Sequence, residues 1–155
     1  MKLHIQNKFT SELPADPNEI NLPRQVQEAC FSYVLPKKPS NPSLIHASSE
    51  VANAIGLSQE DILSTEFLNI FSGSTIYPET KPFALSYAGH QFGNWAGQLG
   101  DGRAINLTEV VHENKVYTLQ LKGAGPTPYS RTADGFAVLR SSIREYLCAE
   151  AMHYL

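Results

Sequence analysis

Apolar and polar residues alternate most regularly between residues 103 and 122. Arg103 to Val111 reads as one strand and Lys115 to Lys122 as its partner, with the turn at His112-Glu-Asn114, so the pattern predicts a β-hairpin. Along the second strand Tyr117, Leu119 and Leu121 fall on one face and Thr118, Gln120 and Lys122 on the other, because side chains change sides at every residue of a strand. Elsewhere the period is helical. Leu139, Ile143, Leu147 and Tyr154 form one stripe, which predicts helix from Phe136 onward. Val51, Ala52 and Ile55 lie between the capping pair Ser48-Ser49 and the natural stop Gly56. Ser58-Gln-Glu-Asp61 places an acid three residues after a capping serine, and Ile62, Leu63, Phe67, Ile70 and Phe71 continue at helical spacing to Gly73. These apolar positions read as core.

The remaining segments carry breakers. Residues 11 to 24 contain Pro14, Pro17 and Pro23 and read as an extended lead-in; Pro36 to Pro42 is a loop, since each proline disfavours helix before it. Phe31 to Leu35 and the pair Leu44-Ile45 are short strand candidates, residues 74 to 103 read as irregular, and Gly123 to Gly135 as a loop. The predicted fold class is α+β: a small antiparallel sheet around the hairpin, the C-terminal helix packed against it, and the N-terminal strand and helices wrapped outside. Residues 1–84 form an N-terminal extension in this reading, and residues 85–155 carry the glycine-rich hairpin, the lysine strand and the helix. The helical pattern runs to Leu155 with no glycine or proline to close it, which predicts a truncated piece of a longer protein and, through its uncovered apolar helix face, self-association.

Composition narrows the function. The 155 residues are 42% hydrophobic and 17% charged, enough for one buried core, and the formal net charge of -3 gives no general attraction to nucleic acid or anionic membrane. Any polyanion site must therefore be local. Cys30 and Cys148 stand far apart and match no metal spacing, which fits a reducing compartment. Neither a signal-peptide core, a transit peptide nor a membrane-length apolar run is visible, so a soluble cytoplasmic protein is expected.

Four constellations carry chemistry. Gly97-Gln-Leu-Gly-Asp-Gly-Arg103 allows close backbone approach to an anion, with amides aimed at phosphate oxygens and a fixed guanidinium from Arg103; a tight turn is the plainer reading of the glycines alone. Lys122 ends a strand, and Glu145 rides the following helix. A carboxylate there can hold the ammonium toward phosphates, although Ser142-Ile-Arg-Glu145 also reads as a capping box. The loop from Gly123 to Gly135 carries Thr127, Tyr129, Ser130, Arg131, Thr132 and Asp134, and suits wrapping a nucleotide, accepting modification, or simple connection. Tyr87-Ala-Gly-His-Gln-Phe-Gly-Asn-Trp95 crowds aromatics around His90, which reads as a packed core histidine; the histidines at 4, 46, 112 and 153 do not cluster at metal spacing. A glycine-rich segment, a strand-end lysine and a helix-borne carboxylate, in this order, are the upper-lobe parts of a kinase-type nucleotide site.

Longer strings are more specific. Tyr87-Ala-Gly-His-Gln-Phe-Gly93, Gly97-Gln-Leu-Gly-Asp-Gly-Arg-Ala104, Leu119-Gln-Leu-Lys-Gly-Ala-Gly-Pro-Thr-Pro-Tyr-Ser-Arg131, Ala133-Asp-Gly135 and Leu139-Arg-Ser-Ser-Ile-Arg-Glu-Tyr-Leu147 resemble the selenoprotein O family and its bacterial YdiU members. Pro23-Arg-Gln-Val26 suits the same family's N-terminal region. The resemblance implies a protein-kinase-like fold that binds ATP in a flipped orientation. It implies transfer of AMP to Ser, Thr or Tyr hydroxyls of proteins, with release of pyrophosphate and a requirement for Mg2+ or Mn2+; some bacterial relatives are credited with UMP transfer. By motif, Gly100, Gly102, Arg103, Lys122, Asp134 and Gly135 are expected to contact the nucleotide, with Glu145 supporting Lys122. The family's catalytic aspartate and metal ligands lie downstream of this sequence, so no catalytic residue and no metal ligand is expected within it, and the piece by itself is expected to be inactive. A non-catalytic nucleotide-binding or interaction module, and a conventional kinase-type phosphotransferase, stand as alternatives.

Overall fold

The computed structural model describes residues 1–155, and its architecture grows from the hairpin that the alternation predicts. Strand β5 (Ala104–His112) pairs antiparallel with β6 (Lys115–Lys122). The connection is a two-residue turn with Glu113 at φ 47 and Asn114 at φ 63, the left-handed pair that a type I′ turn demands. Leu107 has no partner across the ladder, so a bulge falls between Asn106 and Thr108 and adds local twist. Two short strands from earlier in the chain, β1 (Phe31–Tyr33) and β2 (Phe83–Leu85), extend the sheet antiparallel in the order β1-β2-β5-β6. The N-terminal strand is thus a member of the sheet, where the sequence predicted an outer wrapping. Residues 4–6 cover part of β5 as well: the Val111 amide donates to the His4 carbonyl and the Gln6 amide to that of Glu109. They satisfy an edge that would otherwise be open.

Short helices close the other side. A five-residue helix, α1 (Lys8–Glu12), whose last two residues the sequence reading took as extended, seats Phe9 on Phe83 at 5.4 Å and within 5.7 Å of Phe31. The serine signals work as predicted. Ser48 caps α2 (Ser49–Ala54), and Ser58 and Asp61 form a reciprocal capping box on α3 (Gln59–Ile62). The apolar run to Gly73 is broken by a further cap, Ser64, which starts α4 (Thr65–Phe71). The larger core lies between these helices and the hairpin: Ala52, Ile55, Leu57, Ile62, Phe67 and Ile70 meet Leu107, Val110, Leu119 and Leu121. A smaller core of Val34, Ala84, Ile105 and Tyr129 is separate from it.

Four further expectations need correction. Leu44-Ile45 forms no strand, having no cross-strand partner to pair with. The stretch from 87 to 98 is not irregular: β3 (Ala88–Gln91) and β4 (Asn94–Gln98) make a second hairpin, turning at Phe92 (φ 51) and Gly93 (φ 79). His90 lies there exposed, edge-on to the Trp95 ring at 5.1 Å, and is not a core residue. Finally, α5 (Leu139–Tyr154) buries none of its residues and so does not pack into the sheet as predicted. Its Leu139, Ile143 and Leu147 remain exposed beside Ile45 and His46. No helix is long and apolar enough to cross a membrane.

Candidate functional site

The alternation of β6 decides where its last residue points. Leu119 and Leu121 enter the core, so Gln120 and Lys122 project from the opposite face. Lys122 Nζ lies 3.4 Å from Glu145 Oε1, with the two side chains 48% and 61% exposed. The helix and the strand end therefore meet as predicted, through a solvated ion pair. The rival capping-box reading of Glu145 is excluded, because the helix begins at Leu139 with Val138 at its cap and Ser142 already lies inside it.

Lys122 lines a cleft of about 450 Å3 together with Gly100, Gly102, Arg103 and Arg131; Tyr87 and Gln91 from the β3–β4 hairpin form part of its rim. Three cationic side chains thus meet in a chain whose formal net charge is -3. The one acidic lining residue, Asp101, is already engaged: its Oδ2 accepts from the Leu85 amide and from Asn106 Nδ2, each at 3.0 Å. Arg131 Nη2 reaches Gln91 Oε1 at 3.2 Å and ties the loop to the hairpin.

The glycine segment works differently from the cradle that spacing suggests. The Asp101 amide donates to the Leu85 carbonyl of β2 and the Gly102 amide to that of Gly100, so both donors are already engaged. Small size is what the turn uses. A Cβ on Gly100, which sits at φ 124, would lie 2.5 Å from Tyr129 Cγ, and one on Gly102 would lie 2.8 Å from the Tyr129 carbonyl oxygen. The turn is pressed against Tyr129, and the side chains of Arg103, Lys122 and Arg131 supply the cleft's positive charge.

The loop after Lys122 is the wall that holds this arrangement. Ala124 and Phe136 form an isolated bridge, so the loop returns to the strand end it left. Thr127, Tyr129 and Ser130 are buried, which removes them as exposed modification sites. Thr127 Oγ1 donates to the Asp101 carbonyl at 2.7 Å and Ser130 Oγ to that of Gly102, pinning the glycine turn. Burial pushes the Tyr129 phenol up from its ordinary value, against its hydrogen bond with Ser32.

Asp134 and Gly135 do not line the cleft. Asp134 Oδ1 accepts from the Phe136 amide at 2.9 Å, a local turn. Gly135, at φ 76, packs so tightly that a Cβ would fall 2.2 Å from the Gly125 carbonyl carbon. Sequence reasoning left out Arg131 as a site residue. Its signal was an arginine among hydroxyl residues in a long loop, but only the return of that loop brings it beside Lys122. No group of three or more His, Cys, Asp or Glu side chains is placed to hold a metal ion.

Comparison with known proteins converges on one family. The family model described as Protein adenylyltransferase SelO matches residues 20–155. A protein nucleotidyltransferase YdiU of Flavobacterium johnsoniae is 72% identical over 153 residues, covering 99% of this chain and 29% of the relative. YdiU proteins of Aromatoleum aromaticum and Rhodopirellula baltica are 56% and 57% identical, each over 99% of this chain and over 30% and 28% of the relative. The chain thus spans about three-tenths of the length of the curated relatives it matches.

Proposed function

The chain belongs to the protein adenylyltransferase SelO family, a family of nucleotidyltransferases, and from that premise we propose that its cationic cleft holds the phosphates of ATP for AMP transfer to protein hydroxyls by the full-length protein. The observation that carries the proposal is the meeting of Arg103, Lys122 and Arg131 in one cleft of an acidic chain. Composition gives no general reason to bind polyanions, so a local cluster of cations needs its own occupant. Guanidinium groups suit phosphate oxygens through their fork geometry, and an ammonium serves as a mobile point charge.

In this reading a Ser, Thr or Tyr oxygen attacks the α-phosphorus. An oxygen–phosphorus bond forms, the bond from the α-phosphorus to the bridging oxygen breaks, and pyrophosphate departs with the electron pair while the hydroxyl proton passes to a base. Arg103, Lys122 and Arg131 offset the charge on the phosphates, and Glu145 keeps the Lys122 ammonium turned toward them. The reading assigns the base and the Mg2+ or Mn2+ ligands to parts of the longer protein that this chain does not cover. It also takes the four-stranded sheet and α5 as the upper lobe of a kinase-like fold, in which α5 gains its packing from those further parts.

The test uses the full-length protein, ATP labelled at the α-phosphate, and a protein acceptor. Label should appear on hydroxyl side chains as an AMP adduct, and Lys122→Ala should abolish it. Robust transfer by Lys122→Ala refutes the role given to that residue. An adduct with the mass of a phosphate identifies a phosphotransferase instead.

A further inference from the structure

Behind the cleft a file of buried polar groups leads away from the nucleotide site into the N-terminal segment. Asp16, Ser32 and Tyr129 are 7%, 0% and 4% exposed. The Arg24 guanidinium bonds the Asp16 carboxylate; Ser32 Oγ donates to Asp16 Oδ2 at 2.8 Å; Ser32 Oγ and the Tyr129 hydroxyl lie 2.9 Å apart. A serine hydroxyl has a single proton, and here the carboxylate takes it, so the Tyr129 hydroxyl must donate to Ser32. The polarity of the file is therefore fixed from one end to the other. Burial alone would raise the Asp16 carboxyl, but bonds from the Asn18 amide, the Ser32 hydroxyl and the Arg24 guanidinium hold it below its ordinary value, which keeps it an acceptor.

Tyr129 is where this file meets the cleft. Its ring occupies the space beside Gly100 and its carbonyl oxygen the space beside Gly102. The hydroxyl neighbours on its own loop, Thr127 and Ser130, hold the carbonyls of Asp101 and Gly102. Two residues further on, Arg131 enters the cleft from a left-handed backbone position at φ 56. A displacement of the Tyr129 ring therefore moves the glycine turn that precedes Arg103 and the backbone that carries Arg131 together. The Arg24 amide also donates to the Pro128 carbonyl at 3.1 Å, so the N-terminal segment grips the loop at a second point.

We propose that Asp16, Ser32 and Tyr129 are positioning residues for the nucleotide, a relay through which the N-terminal segment sets the placement of Arg103 and Arg131 against the phosphates. The proposal rests on the nucleotide reading of the cleft. Tyr129 also lines the cleft, but the contact with Ser32 acts on the phosphates through the two arginines. Its tie to the phosphates is geometric, so loosening it should weaken nucleotide binding more than the chemical step.

The test compares Tyr129→Phe, Ser32→Ala and their double variant with Lys122→Ala in the full-length protein, reading KM for ATP and kcat separately alongside thermal unfolding. Tyr129→Phe keeps the ring against Gly100 and removes only the hydroxyl. KM should rise about three- to tenfold in each single variant, with kcat within about twofold of the parent. Because one contact is removed in both, the double variant should be no worse than the more severe single one. Lower melting temperatures with an unchanged KM in both single variants would overturn the relay, since a purely structural bond reduces the folded fraction and not the affinity of what remains folded. If Tyr129→Phe does not fold, Ser32→Ala decides by the same criterion. Unchanged kinetics in Lys122→Ala would overturn the nucleotide reading and the relay with it, whereas impaired Lys122→Ala beside normal Tyr129→Phe and Ser32→Ala would overturn the relay alone.

Discussion

Lys122 joins two halves of its surroundings that are built in different ways; of the two, only the loop lines the cleft. On one side the loop from Gly123 to Gly135 folds its hydroxyl groups inward, and Thr127, Tyr129 and Ser130 are all buried and bonded. On the other side α5 buries no residue and reaches Lys122 through one solvated carboxylate at 3.4 Å. Both halves belong to continuous strings of the same family resemblance, so sequence likeness alone does not separate them. The contrast shows that the loop is completed by interactions within these residues, while α5 meets the strand end through an exposed ion pair whose contribution to stability is small.

The largest effect should come from breaking the shape of the loop. Gly135→Ala places a Cβ 2.2 Å from the Gly125 backbone at a left-handed position, and should cost about 3–5 kcal/mol, read as a lower denaturant midpoint. Neighbouring residues on β6 then separate the two principles. Leu121→Ala removes a side chain from the main core and should cost about 2–4 kcal/mol in the same measurement. Acid should act on the Asp16 contacts, which reach this loop through Ser32 and Tyr129. The Asp16 carboxyl is held below its ordinary value of 3.8, so its contribution is fully present above that pH and is lost as pH falls through the lower folded value. Asp16→Asn should therefore flatten the acid limb of stability against pH. The smallest structural effect belongs to the ion pair. Lys122→Ala and Glu145→Ala should each shift stability by no more than about 0.5 kcal/mol, even where Lys122→Ala removes the transfer activity proposed for the full-length protein. A stability loss for Lys122→Ala as large as that for Leu121→Ala would erase the distinction between the two halves.

Much of the fold was legible because it is decided locally. Ser48, Ser58 with Asp61, and the turn at Glu113-Asn114 act within a few residues of themselves, and the period-two alternation of Lys115 to Lys122 fixes which side chains face the core. The break in the helical run before α4 was missed because Ser64 competes with an uninterrupted apolar pattern. His90 was misplaced because an aromatic neighbourhood in sequence resembles a core, whereas the two-residue turn at Phe92-Gly93 turns those rings outward into a hairpin with no sheet against it.

The candidate site divides in the same way. Lys122, its meeting with Glu145, and the adjacent glycine turn follow from strand end, helix and order along the chain. The reason for the glycines does not: spacing suggests free amides, and the structure shows a turn pressed against a tyrosine ring nearly thirty positions later in the chain.

By itself the sequence determined the local pieces: caps, turns, the alternation that sends Leu121 inward and Lys122 outward, and the family strings around them. The tertiary structure alone decided which pieces meet. Strands β1 and β2 join the hairpin's sheet, Arg131 enters the cleft, Tyr129 closes against Gly100 and Ser32, and α5 stays uncovered. Capping and alternation are set by neighbours a few bonds away and are written in short windows. Burial, pairing and charge convergence depend on partners tens of residues apart, whose meeting is settled only when the whole chain balances loop-closure entropy against the surface it buries.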